Sequence, residues 1–229
     1  MTTKKKNGPL IAILATVAIA VMAGTMYYDS HKTKKQIRAS YDIPSSVKID
    51  GTILDKARSI TAFSLTNSQG KPFTEQSLQG HWSMVFFGFT NCGYVCPTSL
   101  AAMNQMYTKL QKDLPKDQLP QVYFVSVDPE RDTLNRIDQY VSKFNHHFIG
   151  ARGTLAETRA LAKQMSAVFV KVQLQGGDKN QYIVNHSANV MLVDPAGNLR
   201  AFFSFPHTGS QMVVDYENIL RSEHQHAYL

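Results

Sequence analysis

The sequence predicts an α/β layered domain built on a parallel central sheet, and three observations predict it. Apolar stretches that read as strands alternate along the chain with stretches of helical period. One stretch, Trp82–Phe89 (WSMVFFGF), is a continuous apolar run, as a strand covered on both faces should be. The 229 residues are 43% hydrophobic and 18% charged, enough apolar material for one full core and too much for a disordered chain.

Pro9–Tyr28 (PLIAILATVAIAVMAGTMYY) holds 20 residues without a charge. A helix of that length rises about 30 Å, the thickness of a bilayer's hydrocarbon core. Tyr27 and Tyr28 stand at one end, where amphipathic rings favour the interface. The run exceeds the apolar region of a usual signal peptide, which favours an uncleaved anchor over cleavage at Ala18-Ile19-Ala20. Residues 1–8 then form a cytoplasmic tail, 9–28 a single transmembrane helix, 29–49 a polar tether and 50–229 the globular domain. Basic residues flank the run on both sides, so the charges leave its orientation to be decided by the domain's chemistry.

Val47–Ile53 is a candidate first strand. Ala62–Leu65 alternates and leads into Asn67-Ser68-Gln69-Gly70, a hairpin signal. The central strand Trp82–Phe89 is followed by a loop with Cys92 and Cys96. A helix then runs from Pro97 to about Leu114, with Leu100, Met103, Tyr107 and Leu110 at helical spacing. Val122–Val127 reads as a strand, and Thr133–Phe144 and Leu155–Met165 as helices. Val168–Val172 is a strand with a turn at Gly176-Gly177-Asp178. Asn189–Val193 and Leu199–Phe205 pair across the turn Asp194–Gly197, and Ser210–Arg221 closes the chain as a helix. A strand, a cysteine pair and a helix in that order make the domain thioredoxin-like, with hairpins added.

The net charge of +7 is concentrated at one end. Residues 1–38 hold seven basic side chains and one acid, and the remainder 17 basic and 16 acidic. A nucleic-acid binder concentrates positive charge on its folded domain, so this distribution argues against that class.

The two cysteines of the chain, Cys92 and Cys96, stand in Asn91-Cys92-Gly93-Tyr94-Val95-Cys96-Pro97. Cysteines four apart are neighbours on a helical turn, close enough for a disulfide or for two thiolates facing one metal ion. A helix N-terminus lowers a thiol pKa, which serves either use. A metal site needs a further ligand. Of eight histidines, His186 is the best candidate, in the segment just before the Asn189–Val193 strand, where a thioredoxin-like sheet brings the chain beside the cysteine loop. A purely structural histidine is the alternative. Thiolates select Cu(I) and imidazole serves copper in either oxidation state. Structural zinc prefers four protein ligands, and no third cysteine exists.

The stretch Phe86-Phe87-Gly88-Phe89-Thr90-Asn91-Cys92-Gly93-Tyr94-Val95-Cys96-Pro97 resembles the signature of the Sco/SenC family of copper-A assembly proteins. Ser126-Val127-Asp128-Pro129-Glu130-Arg131-Asp132-Thr133, Val184-Asn185-His186-Ser187 and Leu192-Val193-Asp194-Pro195-Ala196-Gly197 agree in order, over roughly residues 50–222. The resemblance implies a thioredoxin-like domain outside the membrane, on the periplasmic side of a bacterial inner membrane. It implies a copper site of Cys92, Cys96 and His186, a role in metallating cytochrome c oxidase subunit II, and exchange with other copper chaperones. Copper delivery makes the chain a metallochaperone rather than an enzyme. Reduction of the oxidase's copper-site cysteines by a Cys92–Cys96 dithiol is the alternative. Gly93 and Tyr94 stand where the family often has Pro and Asp.

Asp128 and Asp132 read either as turn and N-cap carboxylates or as groups beside the metal that orient an imidazole or steer a partner. A thioredoxin-type oxidoreductase is a rival reading, but the spacing is CxxxC and no proline lies between Pro129 and Pro195 to face the cysteines. A peroxidase would need an arginine near one activated cysteine, for which Arg152 is the candidate.

Overall fold

In the computed structural model, residues 22, 24, 25, 51–173 and 182–226 are described, the last three by backbone alone. Most of the Pro9–Tyr28 run, the tether, the start of the Val47–Ile53 strand and the Gly176-Gly177-Asp178 turn lie outside the described residues. Among the described residues, no helix is long and apolar enough to cross a membrane.

The strands are β1 (Thr52–Ser59), β2 (Leu65–Asn67), β3 (Pro72–Phe73), β4 (Ser83–Gly88), β5 (Gln121–Ser126), β6 (Ile149–Arg152), β7 (Phe169–Gln173), β8 (Tyr182–His186), β9 (Val190–Val193) and β10 (Asn198–Phe203). The helices are α1 (Val95–Asp113), α2 (Leu134–Ser142), α3 (Leu155–Gln164) and α4 (Gly209–His226). Eight strands form one sheet in the order β1-β10-β9-β4-β5-β6-β2-β3, and β7 and β8 form a separate two-stranded ribbon.

β4 is buried at every residue, because it lies in the middle of the sheet between β9 and β5. Parallel pairing is confined to β4–β5 and β5–β6; β9, β10 and β1 add antiparallel strands on one side and β2–β3 on the other. The parallel core and the added hairpins of the sequence reading are both present. The hairpin turns need positive φ, and Gly70 (φ 77°) and Gly197 (φ 83°) supply it.

Helix α1 buries Leu100, Met103, Met106 and Leu110 and packs against α4. Thr133 and Thr154 cap α2 and α3 through their hydroxyls, and Thr154 forms a reciprocal capping box with Glu157. Strand β6 was not foreseen. Its four residues include Gly150 and Arg152 and show no period of two, and the strand exists because its backbone fits under α2. A Cβ on Gly150 would stand 2.1 Å from Ile137 Cγ2. Ala62–Leu65 contributes only its last residue to a strand, since β2 begins at Leu65.

Candidate metal centre

The three predicted ligands arrive from two separate elements. The end of β4 leads into a short loop with Cys92, and the first turn of α1 begins at Val95. Cys96 therefore lies inside the helix, not in the loop with Cys92 as the sequence suggested: helical pairing begins ahead of Pro97, whose missing N–H is no loss in a first turn. His186 ends β8 instead of standing in a loop, because Phe169 of β7 pairs with it.

Cys96 is fully buried, and Cys92 and His186 are partly exposed. Cys92 Sγ accepts the Cys96 backbone N–H at 3.4 Å, and Cys96 Sγ lies 3.4 Å from His186 Nε2. The donor atoms of Cys92, Cys96 and His186 all lie within 4.8 Å of one another. Neither cysteine is in a disulfide.

The imidazole is held by its surroundings. Nδ1 lies 2.9 Å from the Ser187 carbonyl, an acceptor only, so Nδ1 carries the proton. The Nε2 lone pair is thereby left facing the sulfurs, as a metal-binding imidazole requires. The rings of Phe89 and Phe86 stand edge-on to His186 at 5.7 and 6.1 Å between centroids.

The thiols divide one proton unequally. Hydrogen bonding from Cys96, with help from the Cys96 and Tyr94 backbone N–H groups, pulls the Cys92 pKa down to about 3 against the cost of burial. The same hydrogen bond, together with burial, pushes Cys96 far up. Cys92 is the ready thiolate and Cys96 the held thiol.

Asp128 and Asp132 do not touch the imidazole; each holds one of the two arms. Asp132 is fully buried and accepts from the Thr90 N–H (3.0 Å), the Thr90 hydroxyl (2.5 Å) and the Ser126 hydroxyl (2.6 Å). It thereby ties the loop leading to Cys92 to the end of β5. It is not the N-cap of α2, since Thr133 takes that place. Asp128 pairs with Arg131 and accepts the Tyr182 hydroxyl at 2.6 Å. Arg131 stacks over the Tyr182 ring at 3.8 Å and donates to the Tyr182 carbonyl at 3.2 Å. Tyr182 opens the strand that ends in His186, so this group anchors the histidine arm.

Sequence reasoning missed Thr90, Ser126, Arg131 and Tyr182 as supports. Asp128 and Asp132 were visible as candidate supports; that the two carboxylates serve different arms was not. The rival readings find less support. Ser187-Ala188-Asn189 precedes β9 without a proline, and Arg152 donates to the Pro129 carbonyl at 2.7 Å. Of the other histidines, His146 and His147 are exposed, and His207 is buried and bonded to the Ala188 carbonyl at 2.8 Å.

A thioredoxin-like mixed sheet with two thiols at a strand-to-helix junction and a histidine brought in by a separate ribbon defines a class: a dithiol–imidazole soft-metal site on a thioredoxin-like domain. The family model described as SCO1/SenC matches residues 52–221. The chain belongs to the SCO1/SenC family.

"Protein SCO1 homolog 1, mitochondrial" of Arabidopsis thaliana is 31% identical over 88% of this chain, which spans 59% of that protein's length. Among solved structures, the apo Sco1 protein from Thermus thermophilus is 32% identical, with a TM-score of 0.66, over 76% of this chain and 99% of that one. Bradyrhizobium japonicum ScoI with copper bound is 32% identical, with a TM-score of 0.60, over 70% and 98%.

Proposed function

We propose that this chain is a membrane-anchored copper metallochaperone that binds Cu(I) through Cys92, Cys96 and His186 and assists assembly of the copper-A centre of cytochrome c oxidase. The observation that carries the reading is the convergence of two sulfurs and one imidazole nitrogen within 4.8 Å. That donor set is soft, and its chemistry fits Cu(I) better than a four-ligand structural zinc site. The copper-bound Bradyrhizobium relative supports the same metal.

The two sulfurs have different tasks in this reading. Cys96 is fully buried, so it retains the cargo. Cys92 is partly exposed and already a thiolate, so it faces an incoming acceptor thiolate on oxidase subunit II, the proposed partner. Other copper chaperones are the proposed donors. The Pro9–Tyr28 anchor holds the domain on the periplasmic face of the bacterial inner membrane, and residues 29–49 give it reach. A phosphatase fused after Leu229 is expected to be active only outside the cytoplasm; an inactive fusion in a stable, membrane-bound product overturns the topology.

One observation favours the second reading, reduction. The low pKa of Cys92 beside the protonated Cys96 suits thiol exchange. There Cys92 attacks a disulfide of the partner and releases one partner thiolate. Cys96 loses its proton, attacks the mixed disulfide and releases the second, leaving a Cys92–Cys96 disulfide and a reduced partner. His186→Ala separates the two. Delivery expects loss of Cu(I) affinity and of oxidase assembly in copper-poor medium, with rescue by added copper. Normal assembly by a variant whose disulfide still forms and reduces would leave reduction as the function. X-ray absorption of the Cu(I)-loaded protein must show sulfur scatterers; only nitrogen and oxygen around copper excludes the site.

A further inference from the structure

We propose that Gly88 is a positioning residue for the Cys96 sulfur: the missing side chain at the end of β4 is the space into which that thiol packs. The inference rests on the copper reading only for its metal-binding arm. A Cβ built on Gly88 would stand 2.9 Å from Cys96 Sγ, 2.7 Å from Phe124 Cε2 and 3.2 Å from Phe124 Cζ. Ordinary carbon contacts are about 3.5–4.0 Å, so a methyl group there requires something to move by roughly 1 Å.

The strand cannot supply the movement. Gly88 pairs with Ser126 of β5, and its carbonyl accepts the Val127 N–H at 2.8 Å. The Phe124 ring is fully buried between the rings of Phe86 and Tyr140, at centroid distances of 6.2 and 5.6 Å. Cys96 has one side-chain torsion and opens toward the partly exposed Cys92 and His186, so its sulfur yields most easily. That sulfur is the atom facing His186 Nε2 at 3.4 Å. Ligand geometry tolerates displacements of only about 0.5 Å. A methyl group at Gly88 therefore acts on the metal site through the buried thiol, with no contact to Cys92 or to His186 among its three nearest atoms.

The test measures Cu(I) affinity of the reduced full-length chain by competition with a chromophoric chelator, beside thermal unfolding of the metal-free protein. Gly88→Ala is expected to weaken Cu(I) binding about 10- to 100-fold, the range seen when support behind a ligand is lost. Two suppressors separate the sulfur contact from the ring contact. Cys96→Ala should remove the sulfur's share of the unfolding penalty of Gly88→Ala and leave the share set by the Phe124 ring contact at 2.7 Å. Phe124→Leu should leave the loss of Cu(I) affinity in place. Cu(I) affinity within twofold of the parent, or its recovery on adding Phe124→Leu, overturns the proposal. If Gly88→Ala alone does not fold, folding of Gly88→Ala/Cys96→Ala supports the sulfur contact, and rescue by Phe124→Leu in its place overturns it. If the parent chain binds no Cu(I), the copper reading fails while the metal-free suppressor comparison still decides the role of Gly88.

Discussion

The cysteine arm and the histidine arm of the site are built differently. Cys96 sits in the first turn of α1, directly behind a fully buried central strand, and Asp132 ties the adjoining loop to β5. His186 sits on a two-stranded ribbon that, among the described residues, pairs with no strand of the main sheet. One face of that ribbon is closed by Tyr182 and Val184, while Val168, Val170, Val172 and Ile183 on or beside it are exposed. Two of the proposed ligands are thus held by the core, and the third by the β7–β8 ribbon. Stability is not uniform across a fold, and an element of this kind opens more easily than a central strand. In the proposed function this asymmetry separates tasks: Cys96 sets retention, Cys92 meets the acceptor, and the imidazole completes or releases the site.

The largest expected effect would break the comparison at its strong side. Cys96→Ser or Cys92→Ser should lower Cu(I) affinity by more than the 10- to 100-fold typical of outer support, since a soft donor itself is lost. Chelator competition measures it, and a variant binding as tightly as the parent would deny the cysteine arm its role. His186→Ala should have a smaller effect than either cysteine variant, because imidazole is a less soft donor to Cu(I) than thiolate. It should also leave Cys92–Cys96 disulfide formation intact, which redox titration of the metal-free variant checks.

The supports should fail separately. Asp132→Asn replaces one of two buried carboxylate oxygens by an amide NH2, so one or two of the three donors lose their acceptor, and it should destabilise the domain by about 1–3 kcal/mol. Thermal unfolding reads that loss. Tyr182→Phe removes one hydroxyl from Asp128 and should cost about 1–2 kcal/mol. The loss should be local: hydrogen exchange should quicken at β7–β8 amides and stay unchanged in β4 and β5. Equal quickening in both regions would mean that the two arms are one cooperative unit.

The smallest effect concerns pH. His207 holds the carbonyl of Ala188, two residues past His186, and burial keeps its pKa below the ordinary 6.5. The unfolded chain therefore takes up a proton as pH falls through 6.5, while the folded chain does so only at lower pH. Stability should be unaffected above about pH 7.5, fall as pH drops through the unfolded value of 6.5, and level off below the folded pKa. The contribution cannot exceed about 1.4 kcal/mol per pH unit. His207→Gln should flatten the slope of unfolding free energy against pH; His81, lowered by the same cause, leaves a residual slope of the same sign.

The elements that the sequence determined are those whose patterns depend on local physics. The apolar run Trp82–Phe89 could only be a covered strand, and β4 is one. The 3.6-residue spacing from Leu100 to Leu110 made α1, and Gly70 and Gly197 marked turns that need positive φ. The convergence of Cys92, Cys96 and His186 was legible because the chain has only two cysteines and the topology offered one histidine a place beside them. Strand β6, the ribbon position of His186, the division of labour between Asp128 and Asp132, and the space above Gly88 were decided by tertiary structure alone. Each depends on residues far apart in sequence, such as Gly150 under Ile137, Tyr182 against Asp128 and Gly88 against Cys96. Periodicity along one chain reports which face of an element is buried. It carries no record of what the other side of the contact will be, and that partner is what fixes a ligand's position to a fraction of an ångström.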